Sequence, residues 1–319
     1  MRVLTAPQGW YPDDINSKLN FDEFASEGDE EGLFVGISCT EDINIVRYLS
    51  NFKRKVYINL EHPCTLYTSS NPIGLNPIQQ QLLFDEVYTI CPYSAEWLNG
   101  LDLPTKFVAM PYPHNLIYNK FQGVEKKYDV AYCGLIHSDE IASYIESISD
   151  TDYFFSTIKH YNRVPTVNHL ATHDNIPNVD KWGVLAQSRT AIIQNNLYLK
   201  PEQIEIIKTL PSWQDNEAFS HAETGLLPQL KSRTVESALC KALMLVKKDP
   251  WNVIEEWFVA DEDFVYFEDA KDLKEKVTEI NKNWSKYEPM VESAYNKVVE
   301  KYNTKYIFEK ITHILINYI

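Results

Sequence analysis

The sequence predicts an α/β protein built from two successive doubly wound halves. Three observations carry this. Short apolar runs alternate with segments of helical period through most of the chain. The 319 residues suit two domains of roughly 100–200 residues each, able to share a cleft. A proline-containing, polar stretch near residue 120 divides the runs into two series.

In the first series, strands are predicted at Arg2–Ala6, Leu33–Ser38, Val56–Leu60, Glu86–Ile90 and Lys106–Met110, each a short run rich in β-branched and aromatic residues. A helix is predicted over Thr40–Phe52, where Thr40 caps and Ile43, Ile45, Val46 and Leu49 form an apolar stripe. Pro111, Pro113 and the polar stretch Tyr118–Lys127 then break the rhythm. The domains are therefore read as 1–120 and 121–319.

The second series opens with Tyr128–Cys133, a buried-type strand ending at Gly134, and a helix over Ser138–Ile148 with Ser138 as its cap. Further strands are predicted at Tyr153–Ser156, Ala191–Gln194, Ala242–Lys247 and Phe264–Phe267, and helices at Val179–Gln187, Gln203–Thr209, Thr234–Lys241, Val253–Phe258 and Ala270–Asn283. Thr166–Thr172 reads as extended chain at least as well as helix. Tyr287–Ile319 reads as one long amphipathic helix with room for a break near Asn303–Tyr306; its aromatic stripe is read as packing.

Composition narrows the function. Thirty Lys+Arg against 45 Asp+Glu give a net charge of −15, which argues against a nucleic-acid backbone as partner. Ten glycines are about half the usual ~7% share, so a phosphate site built on a glycine-rich loop is not expected. The five cysteines, Cys39, Cys64, Cys91, Cys133 and Cys240, form no C-x-x-C pair and read as reduced thiols. The acidic run Glu27–Glu31 reads as a solvated loop. No apolar run approaches the ~18 residues of a membrane span, and the first residues lack a signal-peptide pattern. A cytoplasmic protein is expected.

In a doubly wound sheet, ligands bind beyond the carboxyl ends of strands, beside helix N-termini. The segment Gly225-Leu-Leu-Pro-Gln-Leu-Lys-Ser-Arg-Thr-Val-Glu places Lys231 and Arg233 at a helix start and Glu236 in the first turns. Free N–H groups and two cations there suit a diphosphate, and Glu236 suits a ribose diol. The same residues also read as solvated charges, with Glu236 complementing the helix dipole. His169 and His173 have the spacing of a metal pair only if helical, with no third ligand evident. No nucleophile elbow is present.

Taken together, LKSRTVESALCKALMLVKKDPWNVIEEWFVADEDFVYFEDAKDLKEKVTEI, KWGVLAQSRTAIIQN upstream and FDEVYTICPYSAEWLN in the first half resemble glycosyltransferases of the GT-B fold. The closest likeness is to the "glycosyl transferases group 1" type, which includes glycosyltransferase family 4 and CgeB-like proteins. The chain departs from family 4 in having Pro228 eight positions before Glu236, where a second glutamate is usual, and Cys240-Lys241-Ala242 at a turn that often holds glycine.

The resemblance implies two Rossmann-like domains facing a cleft, the last helix crossing back to the N-terminal domain, and transfer of a sugar from a nucleotide-diphosphate donor to a hydroxyl acceptor, be it glycan, lipid-linked or small molecule. It implies that residues 121–319 bind the donor, with Lys231 and Arg233 on the diphosphate, Glu236 on the ribose, and Gly134 and His137 close by. It implies no metal cofactor, in keeping with the lack of a D-x-D following a strand. Residues 1–120 would bring the acceptor; Gly9 opens a loop holding Asp13 and Asp14, Glu61-His62 follows the third strand, and Asp13, Asp14, Glu61 or His62 is the candidate general base. A peripheral membrane contact would suit a lipid-linked acceptor. Two other readings stay open: a phage-type glucosyltransferase acting on modified DNA bases, which the net charge disfavours, and a non-catalytic two-domain ligand-binding protein.

Overall fold

The computed structural model describes residues 3–5, 33–37, 53–59, 81–109, 120–209 and 213–312. The first part contains β1 (Val3–Thr5), β2 (Leu33–Ile37), β3 (Arg54–Asn59), β4 (Glu86–Thr89), α1 (Pro92–Gly100) and β5 (Thr105–Phe107). Next come β6 (Tyr128–Cys133), α2 (Asp139–Ile148), β7 (Tyr153–Thr157), β8 (His173–Asp174), α3 (Asn178–Ala186), β9 (Ser188–Ile193) and β10 (Asn196–Tyr198). The remainder comprises α4 (Pro201–Ile207), β11 (Leu226–Pro228), α5 (Ser232–Leu239), β12 (Leu243–Lys247) and β13 (Phe264–Phe267), then α6 (Ala270–Lys282), α7 (Trp284–Lys301) and α8 (Thr304–Thr312).

The chain divides into two compact units: residues 1–113, 199–229 and 302–319 form one, and residues 114–198 and 230–301 form the other. A split after residue 120 would leave 199–229 and 302–319 in the second half, whereas the chain returns twice to the first. The α8 side chains Ile307, Phe308 and Ile311 are buried, and Arg54 of β3 donates to the Ile311 carbonyl at 2.6 Å.

The first unit holds a five-stranded parallel sheet in the order β1-β2-β3-β4-β5. Val56, Tyr57 and Ile58 are buried in β3, as expected of a parallel strand covered on both faces. Glu86 ties three strands together, accepting from Arg54 of β3 (2.9 Å from Nε) and Lys106 of β5 (2.9 Å), and from Tyr88 in its own strand. Burial alone would raise its pKa, but the hydrogen bonds from Lys106, Arg54 and Tyr88 hold it down at about 2.

The second unit holds a six-stranded parallel sheet in the order β13-β12-β9-β6-β7-β8. The chain starts in the middle at β6, runs to one edge, then returns to β9 and runs to the other. This doubly wound order makes the gap between β6 and β9 the topological switch point. Apolar side chains of α2 (Ile141, Ile145, Ile148) and α6 (Leu273, Val277, Ile280) pack on Val130, Ile192 and Leu245 of the sheet in one buried cluster. Ser138 caps α2, its Oγ accepting from Ile141 N–H at 3.3 Å, and Asp269 caps α6 through Asp272 N–H at 2.9 Å. Asp263, fully buried, accepts from Ser293 at 2.7 Å and from Lys297, anchoring α7.

Among the described residues, the strands and helices expected from the sequence recur with shifts of a few residues, apart from the differences below and the short strands β8, β10 and β11, which were not expected. Val253–Phe258 is a 3-10 turn, Val253–Glu256, rather than a helix. Thr166–Thr172 is mostly 3-10, over Pro165–Leu170, rather than extended. The terminal segment breaks into α7 and α8 where the sequence left room for it, and Asn303 Oδ1 accepts from Tyr306 N–H at 2.8 Å at the break. Helix α1, which begins with Pro92 at its first turn, has no counterpart among the expected helices. Thr40–Phe52 and Glu27–Glu31 lie outside the described residues.

Candidate donor site

The switch point of the second unit gathers the sequence-predicted groups of that half. Gly134 directly follows β6. A Cβ there would stand 2.7 Å from Cζ and Nη1 of Arg233, closer than real side chains come, so the absent side chain is what lets the guanidinium lie against the strand end. Arg233 is on the first turn of α5, with Cζ 5.0 Å from the Tyr132 ring centroid. Lys231 is the N-cap residue of α5, and its N–H donates to Asn195 Oδ1 at 3.1 Å. Thr234 Oγ1 donates to the same oxygen at 3.0 Å.

His137 sits between Gly134 and α2, its ring stacked on Tyr198 at 6.1 Å. Burial pushes its pKa down, and the charges of Arg163, Lys231 and Arg233 push it further, to about 4. The imidazole is therefore neutral near pH 7, with the charges of Arg163, Lys231 and Arg233 near enough to act on it. Nothing in the sequence pointed to Arg163, which follows a 3-10 turn after β7 and is held by its backbone N–H to Ile136 O at 2.9 Å.

Glu236 is 1% exposed. One carboxylate oxygen accepts from Lys181 Nζ at 2.6 Å and from Trp182 Nε1 at 3.1 Å, both on α3. Helix α5 is buried from Thr234 to Leu239, so its carboxylate is a partnered interior group and not a surface charge. Lys181 also lines a cavity of about 200 Å³ at the carboxyl ends of β6 and β7, together with Gly134, Ser156, Thr157 and Ile176. Cys133 also lines this cavity, and burial pushes its thiol pKa up to about 12 despite Lys181 and Arg233, so it is inert as a nucleophile.

Sequence reading missed Arg163, Lys181, Trp182, Gln194 and Asn195. The last two had a usable signal: polar residues directly after an apolar strand, AII-QN, stand where ligands bind in such sheets. Asp13, Asp14, Glu61, His62 and Gly9 lie outside the described residues.

A second cavity, about 270 Å³, lies at the opposite, amino ends of the strands, lined by Phe121, Lys126, Lys241, Trp284 and Glu292 among others. There Lys126 Nζ is consumed by three backbone carbonyls, those of Ala186, Ser188 and Lys241, at 2.7–2.9 Å. Burial lowers its pKa to about 8. It staples the sheet's lower edge. His169 and His173 form no pair: His169 Nδ1 bonds to the Thr166 carbonyl at 2.8 Å and His173 stacks on Phe154 at 4.8 Å. Among the described residues no group of three or more His, Cys, Asp or Glu is placed to hold a metal ion, and no helix is long and apolar enough to cross a membrane.

Two parallel α/β units, the second doubly wound with basic residues at its switch point, define the class of the fold. Residues 170–313 match the family model described as glycosyl transferase-like; this segment contains α3, β9, α5 and most of the site, and the fold is GT-B. No curated protein matches the chain. Among solved structures, a TarM variant from S. aureus, crystallised with fondaparinux, α-GlcNAc-glycerol and UDP, is 9% identical with a TM-score of 0.55, covering 89% of this chain and 56% of its own. HepE from Anabaena, in complex with UDP and glucose, is 11% identical with a TM-score of 0.55, over 88% of this chain and 77% of its own. Sucrose-phosphate synthase from Thermosynechococcus elongatus is 9% identical with a TM-score of 0.55, over 88% and 72%. The chain thus spans little more than half the length of TarM. At these identities the likeness is one of fold.

Proposed function

We propose that this protein transfers a sugar from a nucleotide-diphosphate donor to a hydroxyl acceptor, with the donor held on the second unit. The observation that carries the reading is the geometry at the switch point, where Gly134 leaves room for the Arg233 guanidinium beside the start of α5, whose N-cap residue is Lys231. These cations and a helix N-terminus stabilise a diphosphate in place and, more strongly, the charge that builds on it as it departs. Nucleoside and ribose would occupy the adjoining cavity, with Glu236, oriented by Lys181 and Trp182, facing the ribose diol. UDP in the TarM and HepE complexes supports uridine as the first base to try.

In the reaction the bond from the sugar's anomeric carbon to the diphosphate oxygen breaks and a bond to the acceptor oxygen forms. The acceptor proton leaves to a base, for which Asp13, Asp14, Glu61 and His62 of the first unit remain the candidates. The fixed cations do the charge work that a metal does elsewhere, so turnover is expected to survive chelation with EDTA. Gln194 and Asn195 follow β9, where an acidic pair would repel a diphosphate, and their neutral side chains favour an anionic ligand over a merely structural cluster.

The reading is tested by titrating UDP, GDP and ADP into the wild type and Arg233→Ala, and by assaying hydrolysis of the matching nucleotide-sugars. One nucleotide is expected to bind, with Arg233→Ala weakening it by tenfold or more, about 1.4 kcal/mol per tenfold. Absence of binding by any of the three would refute the reading, and binding without transfer or slow hydrolysis would favour a ligand-binding protein.

A further inference from the structure

Asn195 stands at the switch point with half of its amide satisfied. Its Oδ1 accepts from the Lys231 N–H at 3.1 Å and the Thr234 hydroxyl at 3.0 Å. A backbone N–H only donates, so the oxygen must face α5, and the network fixes which way the carboxamide is turned. The two Nδ2 donors therefore point away from α5. The side chain is 0% exposed, and this nitrogen has no acceptor. Gln194, 4% exposed, precedes it, and its Nε2 also lacks one.

Position gives these donors a meaning. In the parallel register of β6 and β9, Ala131 pairs with Ala191, so Gln194 stands level with Gly134, against which the Arg233 guanidinium lies. Asn195 is one residue beyond, bonded to the backbone of Lys231. Buried donors without acceptors are uncommon, because each has given up its water for nothing. Two on consecutive residues, beside two cations and a helix N-terminus, mark a place where oxygen atoms of a ligand belong.

We propose that Asn195 Nδ2, with Gln194 Nε2 beside it, donates hydrogen bonds to oxygens of the bound donor's diphosphate. The proposal rests on the nucleotide-sugar reading and deepens it. The cations supply charge from several directions, whereas an amide locked by α5 supplies direction, setting where the oxygen sits relative to the helix start. The same lock couples ligand to protein: an oxygen on Nδ2 is joined through the amide to the Lys231 N–H and Thr234.

The test is calorimetric titration of UDP, inorganic pyrophosphate and uridine into the wild type, Asn195→Asp, Gln194→Met and Thr234→Val. Asn195→Asp keeps an oxygen toward α5 and turns the donor edge into an acceptor; it is expected to fold and to lose about tenfold or more in UDP and pyrophosphate affinity, with uridine unaffected. Gln194→Met removes a donor without adding charge; it is expected to lose about threefold or more for UDP while its ligand-free melting temperature rises, since an unmet buried donor has been deleted. Thr234→Val removes one of the two bonds that hold the amide oxygen and leaves the Lys231 N–H in place; it is expected to lose less UDP affinity than Asn195→Asp. Wild-type UDP affinity in both Asn195→Asp and Gln194→Met would overturn the proposal and would leave the nucleotide reading standing. Failure of the wild type itself to bind UDP, GDP or ADP would overturn both.

Discussion

His137 is the residue in which the electrostatics of the site can be read most directly. Burial, then Arg163, Lys231 and Arg233, bring its pKa from 6.5 to about 4. Between those values the unfolded chain binds a proton that the folded chain refuses, so this group's effect on stability is absent at neutral pH and grows unfavourable as pH falls from about 6.5 to 4. His137→Gln is expected to flatten that acid limb in urea titrations run at a series of pH values. A bound diphosphate opposes the three cations and pulls the imidazole pKa back up, so UDP binding near pH 5.5 is expected to take up a proton, read by calorimetry in buffers of different ionisation enthalpy. Binding that takes up no proton would place the diphosphate away from His137. Lys231, Arg233 and Glu236 were legible at this scale because a helix start with cations can be seen in a line of sequence. Arg163 and Lys181 were not, because each comes from a different connection and acquires its role only where the sheet brings those connections together.

At the scale of the element, the turn from α5 to β12 shows how this chain replaces a glycine. Lys241 has φ 55, in the left-handed region, and the end of α5 closes with Ala242 N–H on Ser237 O at 2.9 Å and Lys241 N–H on Ala238 O at 3.1 Å, a pattern that favours glycine at this position. The side chain offsets the strain: Nζ donates to both Glu292 oxygens at 2.7 and 2.8 Å and lies 4.5 Å from the Tyr295 ring centroid. Lys241→Gly relieves a backbone cost of about 1–2 kcal/mol but forfeits a partly exposed ion pair of about 0.2–1 kcal/mol and a cation–π contact of about 0.5–1 kcal/mol. The net change is expected to stay within about 1 kcal/mol by chemical denaturation, with UDP affinity unchanged because this turn is at the amino end of β12. A loss well beyond that would mean that the Lys241 tie to α7 outweighs the strain. The element pattern itself was readable: β6 and β13 run over the residues that their apolar runs mark, and α2 begins after its Ser138 cap. The 3-10 turns Pro165–Leu170 and Val253–Glu256 were misread because periodicity cannot separate one short turn of chain from the next.

Over the whole molecule, the chain's last described helix belongs with its first unit. Phe308 of α8 is 1% exposed, so Phe308→Ala is expected to cost about 3–5 kcal/mol. The loss should fall on the first unit, with UDP binding by the second retained at temperatures where the first has loosened; calorimetric melts with and without UDP would separate the two. Loss of UDP affinity in step with the first unit's unfolding would contradict the placement of the donor site wholly within residues 114–198 and 230–301. The low glycine count bears on the same placement. A phosphate site here needs no glycine-rich loop, and the glycine that matters, Gly134, serves by making room for Arg233.

The sequence by itself determined the α/β class, the two series of strands and the lead-in to α5, because each rests on local periodicity, capping or the spacing of charges along one stretch of chain. Only the tertiary structure decided that β6 and β9 are neighbours, that Lys181 and Trp182 hold Glu236, that Arg163 adds its charge to those of Lys231 and Arg233 on His137, and that Asn195 is locked with its donors away from α5. These depend on strand order and on which connections meet at one end of the sheet, and the long crossovers that create a doubly wound order leave no trace in local periodicity.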